Sequence, residues 1–109
     1  MAYDEGLAHR IREVLADQSG LTEKKMFGGL AFMVQGNMAC GISGDNMMVR
    51  ISPDEMDSAV AQAHVRPFDM TGRPMKGWIL VAPDGLEADE DLSVWVRRGV
   101  DFALTLPSK

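Results

Sequence analysis

Apolar residues recur at helical spacing near both ends of the chain. At the N-terminal end the pattern covers residues 4 to about 16, with apolar positions at Leu7, Ile11, Val14 and Leu15, and it predicts an amphipathic helix. At the other end, a run of acidic residues precedes a second apolar pattern, as expected for a helix start whose dipole attracts negative charge. We therefore expect a helix over Asp89–Leu104 that buries Leu92, Trp95, Val96, Val100 and Ala103.

The middle of the chain alternates short apolar runs with turn residues, which is typical of β-hairpins. Gly36-Asn37 and Gly44-Asp45 are two-residue turn signals, since glycine adopts positive φ without steric cost. They separate strands predicted over residues 30–34, 38–42 and 46–51. A second hairpin with a longer loop is expected from residues 65–70 and 78–82.

Between the two hairpins, Ser52-Pro53-Asp54-Glu55 has the form of a capping box and predicts a short helix to about Ala63. The element order is therefore helix, three strands, helix, two strands, helix. Residues 21–25 are interpreted as a polar entry to the first strand. This order predicts an α+β two-layer sandwich with an antiparallel five-stranded sheet. By length, residues 1–109 are expected to form a single domain.

The predicted pairing assigns side chains to the two faces of the sheet. A turn at Gly36-Asn37 sets Phe32 opposite Gly41 and Ala31 opposite Ile42, and paired residues share a face. The expected core face carries Ala31, Met33, Met38, Cys40, Ile42, Met47, Val49 and Ile51. The opposite face is more apolar than a sheet face exposed to water should be. Its larger side chains form a candidate interaction face of Leu30, Phe32, Val34, Met48 and Arg50, and Ala39 and Gly41 lie on the same face. We expect a second copy in a homodimer, a partner protein or a terminal segment to cover it.

Charge argues against nucleic acid as the general partner. The net charge is -5, which on average repels phosphate, so direct binding to duplex DNA is expected to be weak or absent. A local patch is still predicted by basic residues near an aromatic side chain. Its members are Lys24, Lys25, Arg73, Lys76 and Trp78. A nucleic-acid-associated protein is therefore an alternative function, and a solvated loop explains the same residues equally well.

No residue set has the spacing of a catalytic, cofactor or metal site. Cys40 is the only cysteine, which excludes an internal disulfide and fits a reducing compartment. Its position within an apolar run favours a buried structural role over a nucleophile served by His9 or His64. A small-ligand site or an enzyme with a pocket near Cys40 or Trp78 is a second alternative. The chain has no apolar run of membrane-spanning length and no secretory pattern at its start, so we expect a cytoplasmic protein.

Several motifs together resemble a known family. They are Lys25-Met-Phe-Gly-Gly-Leu-Ala-Phe-Met33, Gly36-Asn-Met38, Met48-Val-Arg50, Gly72-Arg-Pro-Met-Lys-Gly-Trp78 and the tryptophan of the last helix, Trp95. As a set they are similar to the TfoX/Sxy N-terminal domain. The resemblance implies an α+β fold like that of type III secretion chaperones, which are dimeric, and no enzymatic activity.

The name-giving members of this family regulate natural competence together with a catabolite-responsive transcription activator. Because the sequence ends at Lys109, we expect a stand-alone copy that lacks their C-terminal helical domain. The leading hypothesis is therefore a small cytoplasmic regulatory or protein-interaction module that performs no chemistry and requires no cofactor.

Overall fold

A computed structural model describes residues 3–26, 28–69 and 74–107. Within these ranges the chain forms three α-helices and six strands. In chain order they are α1 (Glu5–Val14), β1 (Leu21–Met26), β2 (Gly29–Val34), β3 (Asn37–Ser43), β4 (Asn46–Arg50), α2 (Met56–Val60), β5 (Val65–Asp69), β6 (Pro74–Val81) and α3 (Asp89–Leu104). The α+β class is confirmed, and α3 has the predicted bounds.

The described strands form one antiparallel sheet in the order β1-β2-β3-β4-β6-β5. The prediction of five strands is wrong, because residues 21–25, interpreted as an entry segment, belong to the edge strand β1. This strand pairs with β2 from Leu21 opposite Val34 to Met26 opposite Gly29. Its polar sequence suits an edge, where charged side chains discourage pairing with another chain.

The hairpin of β2 and β3 differs from the predicted one by its turn and by a bulge. The turn residues are Gln35 and Gly36, with φ of 52° and 84°, as a type I′ turn requires. Met33 pairs with Met38, but Phe32 then pairs with Cys40. Strand β3 therefore contains one additional residue, Ala39, between the partners of Phe32 and Met33, which is a β-bulge.

This register contradicts three members of the predicted interaction face. Leu30 pairs with Ile42, and Phe32 pairs with Cys40, so β2 is shifted by one residue from the predicted pairing. A shift of one residue moves every side chain of a strand to the other face. Leu30, Phe32 and Val34 are therefore core residues, and Ala39 also lies in the core. Conversely, Ala31, Met33 and Met38, predicted in the core, lie on the opposite face.

The hydrophobic core lies between the sheet and the helices. It combines side chains of α1, α2 and α3 with Phe32, Cys40, Ile42, Met47 and Val49 of the sheet. All five α3 residues predicted to be buried are buried. At Gly99, α3 approaches β3 so closely that a Cβ atom there would collide with the carbonyl oxygen of Ala39. A small residue at this position lets the helix pack directly on the bulge.

Polar contacts fix α1 at both of its ends. The Leu7 backbone N–H donates to Asp4 Oδ1 over 3.1 Å, which caps the helix start. Near the other end, Arg12 donates two hydrogen bonds of 2.8 Å to the carboxylate of Glu23 on β1. This bidentate contact lowers the pKa of Glu23, and it ties α1 to the edge of the sheet.

No side-chain cap is formed by Ser52, where a capping box was predicted.

Candidate interaction face

One row of paired residues crosses the whole sheet on the face opposite the core. Each member pairs directly with the next, in the order Lys24, Ala31, Gly41, Met48, Leu80, Arg66. Ala31, Met48 and Leu80 are buried, yet they lie outside the core cluster to which the described helices contribute. We refer to the face that carries these six residues as the open face.

Methionine side chains form much of the open face. Met33 and Met38 pair with each other next to the row and are half-buried. A Cβ atom built on Gly41 would lie 2.6 Å from the carbonyl oxygen of Leu30 and 2.9 Å from the Cε atoms of Met38 and Met48. Two flexible thioether side chains therefore converge over the smallest residue of the row. Methionine can rearrange to fit different partners, so this surface is adaptable.

The two ends of the row are cationic. Lys24 on β1 and Arg66 on β5 are exposed, and no ion pair within the described residues involves either of them. Among the strand residues whose side chains the structure describes, none that shares this face with the row is acidic. With a strand spacing of about 4.8 Å, the two charges lie about 24 Å apart across an apolar centre.

Acidic residues instead lie mainly on the helical side of the protein and in its turns. The first turn of α3 alone holds Asp89, Glu90 and Asp91. Two arginines on this side are paired with acids: Arg10 lies 3.1 Å from Asp89, and Arg98 lies 2.7 Å from Glu55. The protein is therefore acidic overall, but its open face carries only positive charge among the described residues.

The sheet ends near Arg50 in a small cation-aromatic cluster. The guanidinium carbon of Arg50 lies 5.4 Å from the ring centroid of Trp78 and 5.4 Å from that of Phe102. Trp78 belongs to β6 and pairs with Arg50, whereas Phe102 belongs to α3. Arg50 thus joins sheet and helix at one end of the open face. Of the predicted interaction residues, Met48 and Arg50 lie at this surface and Leu30, Phe32 and Val34 do not.

The predicted basic patch is not a single surface. Lys24 pairs with Ala31 and Lys25 pairs with Leu30, so these neighbouring lysines face opposite sides of the sheet. Lys76 and Trp78 lie on β6, which three strands separate from β1. Arg73 lies outside the described residues. Arg66, which completes the charged row, was not assigned to the predicted patch, and only the strand pairing places it in one row with Lys24.

Cys40 is placed where its thiol is chemically inert. The residue is fully buried among core residues, and burial raises the pKa of its thiol to about 12. The thiolate, which is the reactive form, is therefore scarce at neutral pH. Among the described residues, no three histidine, cysteine, aspartate or glutamate side chains lie close enough to hold a metal ion.

A surface depression of about 420 Å³ lies between α3 and the segment that follows β4. Its lining residues are Ile51, Ser52, Glu55, Arg98, Asp101, Phe102 and Thr105. Arg98 is already paired with Glu55, and its guanidinium carbon lies 4.8 Å from the ring centroid of Trp95. Neither Cys40 nor Trp78 lines the depression, so it is a different place from the pocket expected near those residues.

A comparison with protein-family models assigns the chain to a family. The model of the TfoX N-terminal domain matches residues 13–103, which is most of the 109-residue chain. The chain belongs to the TfoX N-terminal domain family. In this TfoX N-terminal domain, the matched stretch contains all six described strands and therefore the whole open face. A search of curated proteins found no match.

The described helices of this TfoX N-terminal domain include none that is long and apolar enough to cross a membrane. The longest is α3, with 16 residues, and three acidic residues occupy its first turn.

Proposed function

We propose that this TfoX N-terminal domain is a non-enzymatic, cytoplasmic protein-interaction module that serves regulation and binds a partner protein through its open face. One observation carries the proposal. The sheet packs its core face against the helices, while on its other face the half-buried Met33 and Met38 lie beside the buried Met48 and Leu80, between two exposed cations. Partly exposed methionines of this kind are typical of a surface that adapts to a protein partner.

The chemistry of the side chains supports binding rather than catalysis. The one thiol is buried and protonated at neutral pH. His9 and Glu13 are both largely exposed on α1, where their side chains lie 3.5 Å apart. His64 is exposed after α2. A regulatory role in competence, as in the name-giving members of the family, is the specific form of this proposal.

Site-directed photocrosslinking in the native cell tests the proposal. A benzophenone amino acid replaces Met33 on the open face, and a matched variant carries it at Val94, which is 56% exposed on α3. We expect discrete protein adducts from position 33, identified by mass spectrometry, and few from position 94. The purified partner should then bind the wild type and the variant Val94→Glu but not Met33→Glu. Adducts from position 94 alone would place the binding surface on the helical side.

A further inference from the structure

The charge pattern of the open face restricts what can cover it. Every ionised side chain described on this face is positive, and Lys24 and Arg66 stand at opposite ends of the row without acidic partners. Opposite charge on the partner lowers the free energy of association and speeds the encounter, whereas like charge opposes both. The occupant should therefore carry negative charge.

A second copy of the same face does not meet this requirement. In a symmetric dimer the same patch lies against itself, so two faces whose described charges are all positive would be brought together. Neither face carries a described acidic side chain that could lie between them. A homodimer built on the open face is thus disfavoured by its own charge, although the sequence alone suggested one.

The centre of the row favours apolar side chains over nucleobases. Its partly exposed apolar side chains are Met33 and Met38, which lie beside the buried Ala31, Met48 and Leu80, and none of these five offers an aromatic plane. Proteins that bind single-stranded nucleic acid stack the bases on several aromatic rings. The described aromatic residues near this surface lie toward its β6–β5 edge: Trp78 contacts the Arg50 guanidinium, and Phe68 is half-buried on β5 two residues after Arg66. No described aromatic ring lies among the methionines at the centre.

The dimensions of the row fit a short segment of polypeptide. A distance of about 24 Å corresponds to about seven residues of extended chain. We infer that the open face binds an acidic segment of another protein, in which acidic residues near Lys24 and Arg66 flank apolar side chains that lie on the methionines. This inference rests on the proposed function and adds the chemical class of the partner.

Fluorescence anisotropy with labelled peptides tests the inference on the full chain. The probe is a peptide of about ten residues in which glutamates at both ends flank central leucines. Two controls have the same length: one replaces each glutamate with lysine, and the other is polyglutamate. We expect the leucine-glutamate peptide to bind most tightly, with an affinity that falls as salt is raised because charge contributes to it.

Charge-matched variants identify the surface involved. Lys24→Glu combined with Arg66→Glu reverses the charge at both ends of the row and should weaken binding of the leucine-glutamate peptide by about tenfold or more. Lys25→Glu combined with Arg97→Glu makes the same change in net charge, but Lys25 faces the core side of β1 and Arg97 is exposed on α3. This control should retain the wild-type affinity within about twofold.

Four results would overturn the inference, and the first three concern the peptide and its competitors. Both double variants could weaken peptide binding equally, or polyglutamate could bind as tightly as the leucine-glutamate peptide. A uridine oligonucleotide could also bind more tightly than that peptide, with the same dependence on Lys24 and Arg66. A dimer detected by light scattering and dissociated by Met33→Glu would also overturn it, in favour of a second copy. If the peptide does not bind while position 33 still crosslinks to a protein partner, the partner segment is not acidic but the proposed function stands.

Discussion

Phe32→Glu is expected to abolish cooperative folding of this domain. Phe32 is 0% exposed and lies in the core opposite Cys40. Loss of a buried phenylalanine costs about 3–5 kcal/mol, and an unpaired carboxylate in an apolar core adds to this. Since small domains are stable by about 5–15 kcal/mol, little or no stability remains. Circular dichroism should show no cooperative thermal transition for the variant.

The neighbouring residue provides the control for that experiment. Met33 is next in the strand, lies on the open face and is half-buried. Met33→Glu places a carboxylate in contact with water, so we expect it to fold and to lose about 1 kcal/mol or less. If Met33→Glu unfolds the domain while Phe32→Glu leaves it folded, the bulge is absent and β2 has the register predicted from the sequence.

Gly99→Ala is expected to destabilise the domain although alanine is the better helix former. Within a helix, replacing glycine by alanine favours folding by about 1 kcal/mol. At Gly99, however, a Cβ atom would collide with the Ala39 carbonyl oxygen, a backbone atom that cannot rotate away. The helix must therefore move off the sheet, and overpacking of this kind costs about 1–3 kcal/mol or more. Urea denaturation should show a lower midpoint.

A second helical glycine gives the matched control. At Gly6 of α1, the nearest atom to an added Cβ is Asp4 Oδ1 at 3.2 Å, and a shift of this side chain by a few tenths of an ångström makes room while the cap to Leu7 is kept. Gly6→Ala should therefore leave the midpoint unchanged or raise it. A rise for both variants would contradict the close approach of α3 to β3.

The helices and the general class of the fold are predictable because their signals are local. The bounds of α3 follow from its acidic first turn and its apolar spacing, and both features lie within the helix itself. By contrast, β1 lacks an apolar alternation because it is an edge strand, and only its pairing with β2 makes it a strand. Propensity alone does not reveal such a strand.

The composition of the interaction face could not be predicted because it depends on the bulge at Ala39. Moving the turn from Gly36-Asn37 to Gln35-Gly36 changes the pairing by two residues and keeps the faces, whereas the additional residue in β3 changes it by one and exchanges them. The turn position itself is set by a distant contact, since the Asn37 amide donates a 2.9 Å hydrogen bond to the carbonyl of Pro107. This contact joins residues 70 positions apart, and it places Asn37 in β3 rather than in the turn.

Which side chains of β2 and β3 face away from the helices is measured most directly by nuclear magnetic resonance of the methionine methyl groups. The protein carries ¹³C only in these methyls, and a soluble gadolinium chelate broadens those that water can reach. Met33 and Met38, half-buried on the open face, should broaden strongly, while Met47, which is 0% exposed in the core, should keep its signal. Equal protection of all three methyls would place Met33 and Met38 in the core, and the open face described here would be wrong.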